Sequence, residues 1–149
     1  MQLLNMLKRI TYHEGDIFLL PMEDGRTAIC QVVCALRGRF KKAFSFGVIR
    51  IQPDETAELR DGDFLPYTFG KRRSSVIFAS PAYIRSGDWR IIGNIPLTQE
   101  KEQLKVFECA GHLYCGDEYV RHLQQEEYGK FNTLGVAGFE LVQIHLSGM

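Results

Sequence analysis

The sequence predicts an α+β fold that is mainly β: a small, strongly bent antiparallel sheet or barrel, with helical material near the C-terminus. Three observations carry this reading. First, two apolar, β-rich runs within His13–Leu36 flank Glu23, Asp24 and Gly25. Glycine takes positive φ without penalty and aspartate tolerates the left-handed region, so Asp-Gly between apolar runs is a strong hairpin signal. Second, short β-rich runs recur along the chain between Gly, Pro and Asp turns, the pattern of a bent sheet or barrel. Third, helical spacing is concentrated late in the chain. Strands followed by helix favour α+β over a βαβ arrangement.

In chain order, Leu3, Leu4, Met6 and Leu7 suggest a helical turn or two over Met1–Arg9. Residues 1–11 read as a flexible N-terminal segment of a single domain spanning 1–149, with a short strand at Ile10–Tyr12. The hairpin strands follow, Asp16–Met22 and Thr27–Leu36. Pro21 cannot donate a ladder hydrogen bond and belongs at a strand end or edge. Ala43–Ile51 alternates as a strand, with Phe44, Phe46 and Val48 on one face and Ile49 and Ile51 on the other. Gly47 marks a bulge or a parity switch in it. Gln52–Tyr67 is polar and acidic, anchored by Leu59 and Phe64. Strands are expected at Ser75–Ser80 and Asp88–Asn94, joined by Pro81–Gly87 with one helical turn. Beyond the polar stretch Thr98–Gln103, Lys105–Cys109 is β-like, with Val106 and Phe107 on opposite faces, and Leu113–Tyr119 continues in that style. Glu118–Tyr128 fits a helix by length, and Tyr119–Leu123 fits a strand equally well. In Asn132–Leu146, Val136, Phe139, Val142 and Leu146 have helical spacing, weakened by Gly135 and Gly138, and predict a C-terminal helix. Phe18, Leu20, Ile29, Val33 and Trp89 are expected to be buried in one β-rich core.

A chain of 149 residues, 45% hydrophobic and 24% charged, has the composition of a soluble globular domain. Eighteen basic residues balance eighteen acidic ones, so no net charge draws the chain to nucleic acid or anionic membrane. No apolar run approaches the roughly 18 residues of a membrane span. The opening residues lack a basic n-region, and Asn5, Lys8 and Arg9 interrupt their apolar stretch, unlike a secretory signal. A cytoplasmic protein with reduced thiols is expected, its four cysteines core or semi-buried.

Four constellations have chemical potential. Cys109, His112 and Cys115 are spaced to approach one zinc ion, with His122 as the nearest later ligand, but a second paired knuckle is missing. Cys30 and Cys34 lie in an apolar strand, where cysteine behaves as a small hydrophobe. No metal or other cofactor is expected. A hydrolase built on Cys109 or Cys115 with His13, His112, His122 or His145 would need a geometry that residue identity does not supply. Arg37, Arg39, Lys41 and Lys42, and again Lys71, Arg72 and Arg73, have aromatic neighbours in Phe40, Phe44 and Phe69. Small β-barrels use such patches on single-stranded nucleic acid, which makes this the alternative function class. Solvated turns are the simpler reading, because no nucleic-acid module signature is present. The carboxylates Asp54, Glu55, Glu58, Asp61 and Asp63 match no calcium loop, and no phosphate loop, dinucleotide fingerprint or nucleophile elbow occurs.

Gly15-Asp16 followed by Ile17–Pro21, Asp24-Gly25 and Ala28–Val33 resembles the opening hairpin of the immunity protein 26 family. Trp89–Asn94 with Pro96 and Leu97 resembles its Trp-x-apolar-apolar-Gly strand. The resemblance covers roughly Tyr12–Leu97, and little matches beyond Gln103. It implies a bacterial, cytoplasmic immunity protein of a polymorphic toxin system, which neutralises a cognate protein toxin by binding it and has no catalytic residues. A matched scaffold does not specify a partner. Recognition is therefore expected on Arg37–Lys42, Asp54–Arg73 and Gly116–Lys130, with Arg39, Phe40, Phe69, Arg72 and Tyr119 as candidate toxin contacts.

Overall fold

The computed structural model describes residues 9–56 and 58–149. The helical turns expected from Met1, and most of the N-terminal segment expected over 1–11, lie outside these residues. Ile10–Tyr12 is not a strand. Ile10 instead donates its backbone N–H to Arg85 O at 2.9 Å, and Tyr12 is fully buried.

The hairpin forms as expected. β1 (Asp16–Pro21) pairs antiparallel with β2 (Thr27–Cys34). Gly25 turns the chain with φ +91°, and Met22 donates to Arg26 O at 2.8 Å. Pro21 sits at the strand end. β3 (Phe44–Gln52) continues the sheet, followed by the small hairpin β4 (Tyr67–Phe69) and β5 (Arg72–Ser74). Then come β6 (Ile77–Ala79), helix α1 (Ala82–Ser86), β7 (Arg90–Asn94) and helix α2 (Gln99–Glu102). A meander follows, of β8 (Val106–Cys109), β9 (His112–Cys115) and β10 (Glu118–His122). The chain ends with β11 (Val136–Ala137) and helix α3 (Phe139–Ser147).

The main sheet has six strands in the order β11-β6-β3-β2-β1-β7. It is mixed rather than wholly antiparallel, because β11 runs parallel to β6. It is also open, with β11 and β7 at its edges, so the expected barrel alternative is not realised. The sheet is covered on both faces, and all eight residues of β2 are buried. Successive strand side chains point to opposite faces. Phe18, Leu20, Phe46 and Trp89 therefore pack with Tyr12, Phe44, Ile84, Val142 and Leu146 under α1 and α3. Ile17, Leu19, Ile29 and Ile49 pack on the other side with Phe64, Ile92 and Ile95. Val33, Val76, Phe78, Phe107 and Tyr114 form a third cluster beneath the meander. The five residues expected in one core are all buried, but they divide among these three clusters.

β3 is bulged at Ile49, not at Gly47: Arg50 and Val48 oppose the adjacent residues Ile29 and Cys30. The bulge sends Ile51 to the same cluster as Val48, whereas Ile49 faces the other side. Gly47 has a different role. A Cβ there would lie 2.3 Å from the Phe64 ring, so the missing side chain is what lets that ring cross the strand. Phe64 anchors the acidic loop as expected. Leu59 stays half exposed, its methyls laid over Gly93 of β7 and outside the core clusters, and Leu65 packs on the first cluster.

Two late elements depart from their spacing. Glu118–His122 is a strand, which settles the helix-or-strand ambiguity there. The C-terminal helix begins only at Phe139, because Val136 and Ala137 pair with Phe78 and Ala79, and Gly138 is its N-cap. Gln143 of this helix donates to Pro21 O at 3.0 Å and accepts from Glu23 N at 2.9 Å, tying it to the first hairpin.

Candidate functional site

The candidate contacts fall into two groups. Arg39, Phe40 and Tyr119 converge on Tyr114 of β9. Phe40 meets the Tyr114 ring edge-on at 4.8 Å and the Phe107 ring at 5.6 Å. Arg39 lies 5.7 Å over the Phe40 ring and donates to the Tyr114 hydroxyl at 3.3 Å. Tyr119, 55% exposed, packs edge-on against Tyr114 at 5.5 Å and bonds His112 Nδ1 at 3.1 Å. The turn carrying Arg39 is held by Asp117, whose carboxylate accepts from the backbone N–H of Arg37 at 3.0 Å and of Gly38 at 3.1 Å. Tyr114 and Asp117 organise this surface and carry no motif that would have singled them out. The loop after β10 is pinned by a bidentate bond from Arg121 to Glu127, which holds that carboxyl down to about 2.

Phe69 and Arg72 stand apart, on the β4–β5 hairpin. Phe69 is 58% exposed and rests edge-on against His145 of α3 at 5.3 Å. Arg72 donates to Thr133 Oγ1 at 2.7 Å and Phe131 O at 2.9 Å, so it braces the hairpin to the segment before β11. These elements enclose an open cleft of about 840 Å³, lined also by Tyr67, Leu141 and His145. His145 stacks on Tyr67 at 4.3 Å, and burial lowers its pKa below the ordinary histidine value.

The candidate ligands Cys109, His112 and Cys115 are not brought together. Cys109 and His112 are register partners, but Cys115 lies at the other end of β9 opposite Val106. At about 3.3 Å per residue, that is about 10 Å along the strand. Among the described residues, no three His, Cys, Asp or Glu side chains are grouped to hold one ion. Cys30 and Cys34 are buried; burial pushes the Cys30 thiol well up and the Cys34 thiol up to about 11, so neither is a ready nucleophile. Cys115 is exposed, contrary to the expectation that all four thiols are core or semi-buried. It stands at a hairpin end, beside the Gly116 turn.

No helix among the described residues is long and apolar enough to cross a membrane. No curated protein and no solved structure matches the chain. The family described as Immunity protein 26 does match, over residues 13–117. That span begins just before the Gly15-Asp16 motif, takes in β1 to β9, and ends at the Asp117 that caps the Arg39 turn. By this match, the chain belongs to the Immunity protein 26 family.

Proposed function

We propose that this chain neutralises a cognate bacterial toxin in the cytoplasm by binding it directly, with no catalysis of its own, as a single domain. The family match over residues 13–117 carries the reading. The surface is consistent with it. Interfaces draw most of their energy from a few aromatic and arginine anchors, and Arg39, on the turn after β2, and Tyr119, on β10, are such residues presented side by side over Tyr114. Phe40 supports them from below. Phe69 and Arg72 offer a second contact beside the β4–β5 cleft. Nucleic-acid binding is the weaker reading, because Arg72 is engaged by Thr133 and Phe131 rather than free for phosphate.

The test is co-expression of the toxin domain encoded beside this chain, with and without the chain, followed by purification of the pair. Survival only in its presence, with a stable complex, is the expected result. Equal killing with and without it, and no complex, would end the proposal for that pair.

A further inference from the structure

A concentration of basic side chains lies away from the two aromatic groups' centres, where the turn after β2 meets the end of α1. Arg9, Arg37, Lys41, Lys42 and Arg85 line a cleft of about 460 Å³ with Tyr12 at its base. The guanidinium of Arg37 lies 4.6 Å and that of Arg85 5.6 Å from the centroid of the Tyr12 ring. Arg37 also donates to the Tyr12 carbonyl. The ring is fixed in turn by Phe44, edge-on at 5.3 Å. Two arginines are thus held on one buried aromatic, and the lysines stand exposed beside them.

Two further observations point to a ligand. None of these five cations is in an ion pair with a described residue. Asp117, the carboxylate that touches this turn, is occupied by backbone N–H groups. The Tyr12 hydroxyl is buried and has no hydrogen-bond partner among the described residues, a condition that native structures rarely leave unrelieved.

We infer that this cleft is a carboxylate-binding site that seats an acidic segment of the protein partner. The inference rests on the toxin-binding reading and names the chemistry of one contact. Arginine forks suit carboxylate and phosphate alike, so the choice between protein and nucleic acid rests on shape and neighbours. Single-strand binders follow the backbone along a groove and stack bases on exposed aromatics. Here the cations close around one pocket, and the aromatic within it is buried. The cleft also adjoins the Arg37–Lys42 turn that carries Arg39, so an acidic segment seated in it would continue onto the Arg39–Tyr119 surface.

The experiment measures binding of a hexaglutamate peptide to the full chain by calorimetry at low salt, with a dodecathymidine strand as competitor. Salt-sensitive binding of the peptide is expected. Lys41→Glu/Lys42→Glu should weaken it about tenfold, as two screened attractions become repulsions. Arg26→Glu, outside the cleft, should change it less than about twofold. Both lysines are exposed, and circular dichroism checks that the variant stays folded. No peptide binding, an equal loss in both variants, or tighter binding of the oligonucleotide would overturn the inference. Co-expression separates it from the broader reading. If the parent chain protects cells and Lys41→Glu/Lys42→Glu protects equally, the cleft assignment fails while toxin neutralisation stands. If the parent chain gives no protection, the broader reading fails, and the peptide result decides the cleft.

Discussion

Lys101 Nζ lies 2.6 Å from Asp61 Oδ1 and 2.7 Å from Gln31 Oε1, with its side chain 7% exposed. It also sits 4.3 Å over the Phe64 ring, so one cation fastens the acidic loop to the main sheet. Gln31 passes the contact on by donating to Ile95 O at 2.7 Å. Lys101→Met keeps the aliphatic stem but leaves Gln31 Oε1 buried and unpaired. The expected cost is about 2–3 kcal/mol, from loss of a charge-assisted buried bond. Asp61→Asn, at a partly exposed carboxylate, should cost about 1 kcal/mol. Chemical denaturation of the three proteins checks both values.

The same pair sets a pH dependence. Burial works to raise the Asp61 carboxyl, but the bonds from Lys101 and the Gly62 N–H outweigh it and hold the folded value below the ordinary 3.8. A depressed carboxylate stabilises the fold above its unfolded value, and that contribution is lost as pH falls through the folded one. The stability difference between the parent chain and Asp61→Asn should therefore be flat at neutral pH and shrink below pH 3.8. A difference that instead grows on acidification would contradict the assignment of Lys101 to Asp61.

Trp89 is 3% exposed and stacks between Phe18 at 5.9 Å and Tyr83 at 5.4 Å, with Phe46 edge-on. Truncating such a residue costs about 3–5 kcal/mol, a large share of the roughly 5–15 kcal/mol that keeps a native domain folded. Trp89→Ala should be severely destabilised or unfold, and Trp89→Phe should fold with a smaller drop in melting temperature.

Gly47→Ala tests the close approach of Phe64. The added methyl would meet the ring, at a cost of about 1–3 kcal/mol for overpacking. Combining it with Phe64→Ala removes the clash, so the double variant should be less destabilised than the sum of the singles. Additive losses in a double-mutant cycle would show that the two residues do not oppose each other.

The legible parts of the fold were those in which local pattern and tertiary context agree. The Gly15-Asp16 and Trp89–Asn94 motifs are far apart in sequence yet adjacent in space: Asn94 donates to Asp16 Oδ1 at 2.9 Å, and Ile95 donates to Gly15 O at 3.0 Å. Each motif reads as a strand by itself, and the resemblance links them. Other features depend on partners that local spacing does not reveal. Val136 has helical spacing, but pairing with Phe78 overrides it. The polar stretch Thr98–Gln103 hides Lys101, whose burial depends on Asp61 and Gln31 lying opposite. Among the candidate contacts, exposure could not be read from residue type, and Phe40 is half-buried where Tyr119 is exposed.

That contrast gives the last prediction. Phe40 is wedged between Phe107 and Tyr114, so Phe40→Ala should lower stability by about 1–3 kcal/mol, in the lower part of the range for aromatic truncation because the ring is only half-buried. Any loss of toxin binding should follow from that. Tyr119→Ala removes an exposed ring that covers the half-buried His112 and one edge of the buried Tyr114, and Arg39→Ala removes an exposed guanidinium lying on the same group. Both should melt within a degree or two of the parent, as surface substitutions do. If this surface holds the toxin, each should nevertheless weaken the complex by about 1–2 kcal/mol, seen mainly as faster dissociation. Phe69→Ala, on the separate β4–β5 hairpin, serves as the comparison. Should Phe69→Ala alone accelerate dissociation while Tyr119→Ala and Arg39→Ala leave it unchanged, the contact belongs to the cleft beside His145 and not to the meander.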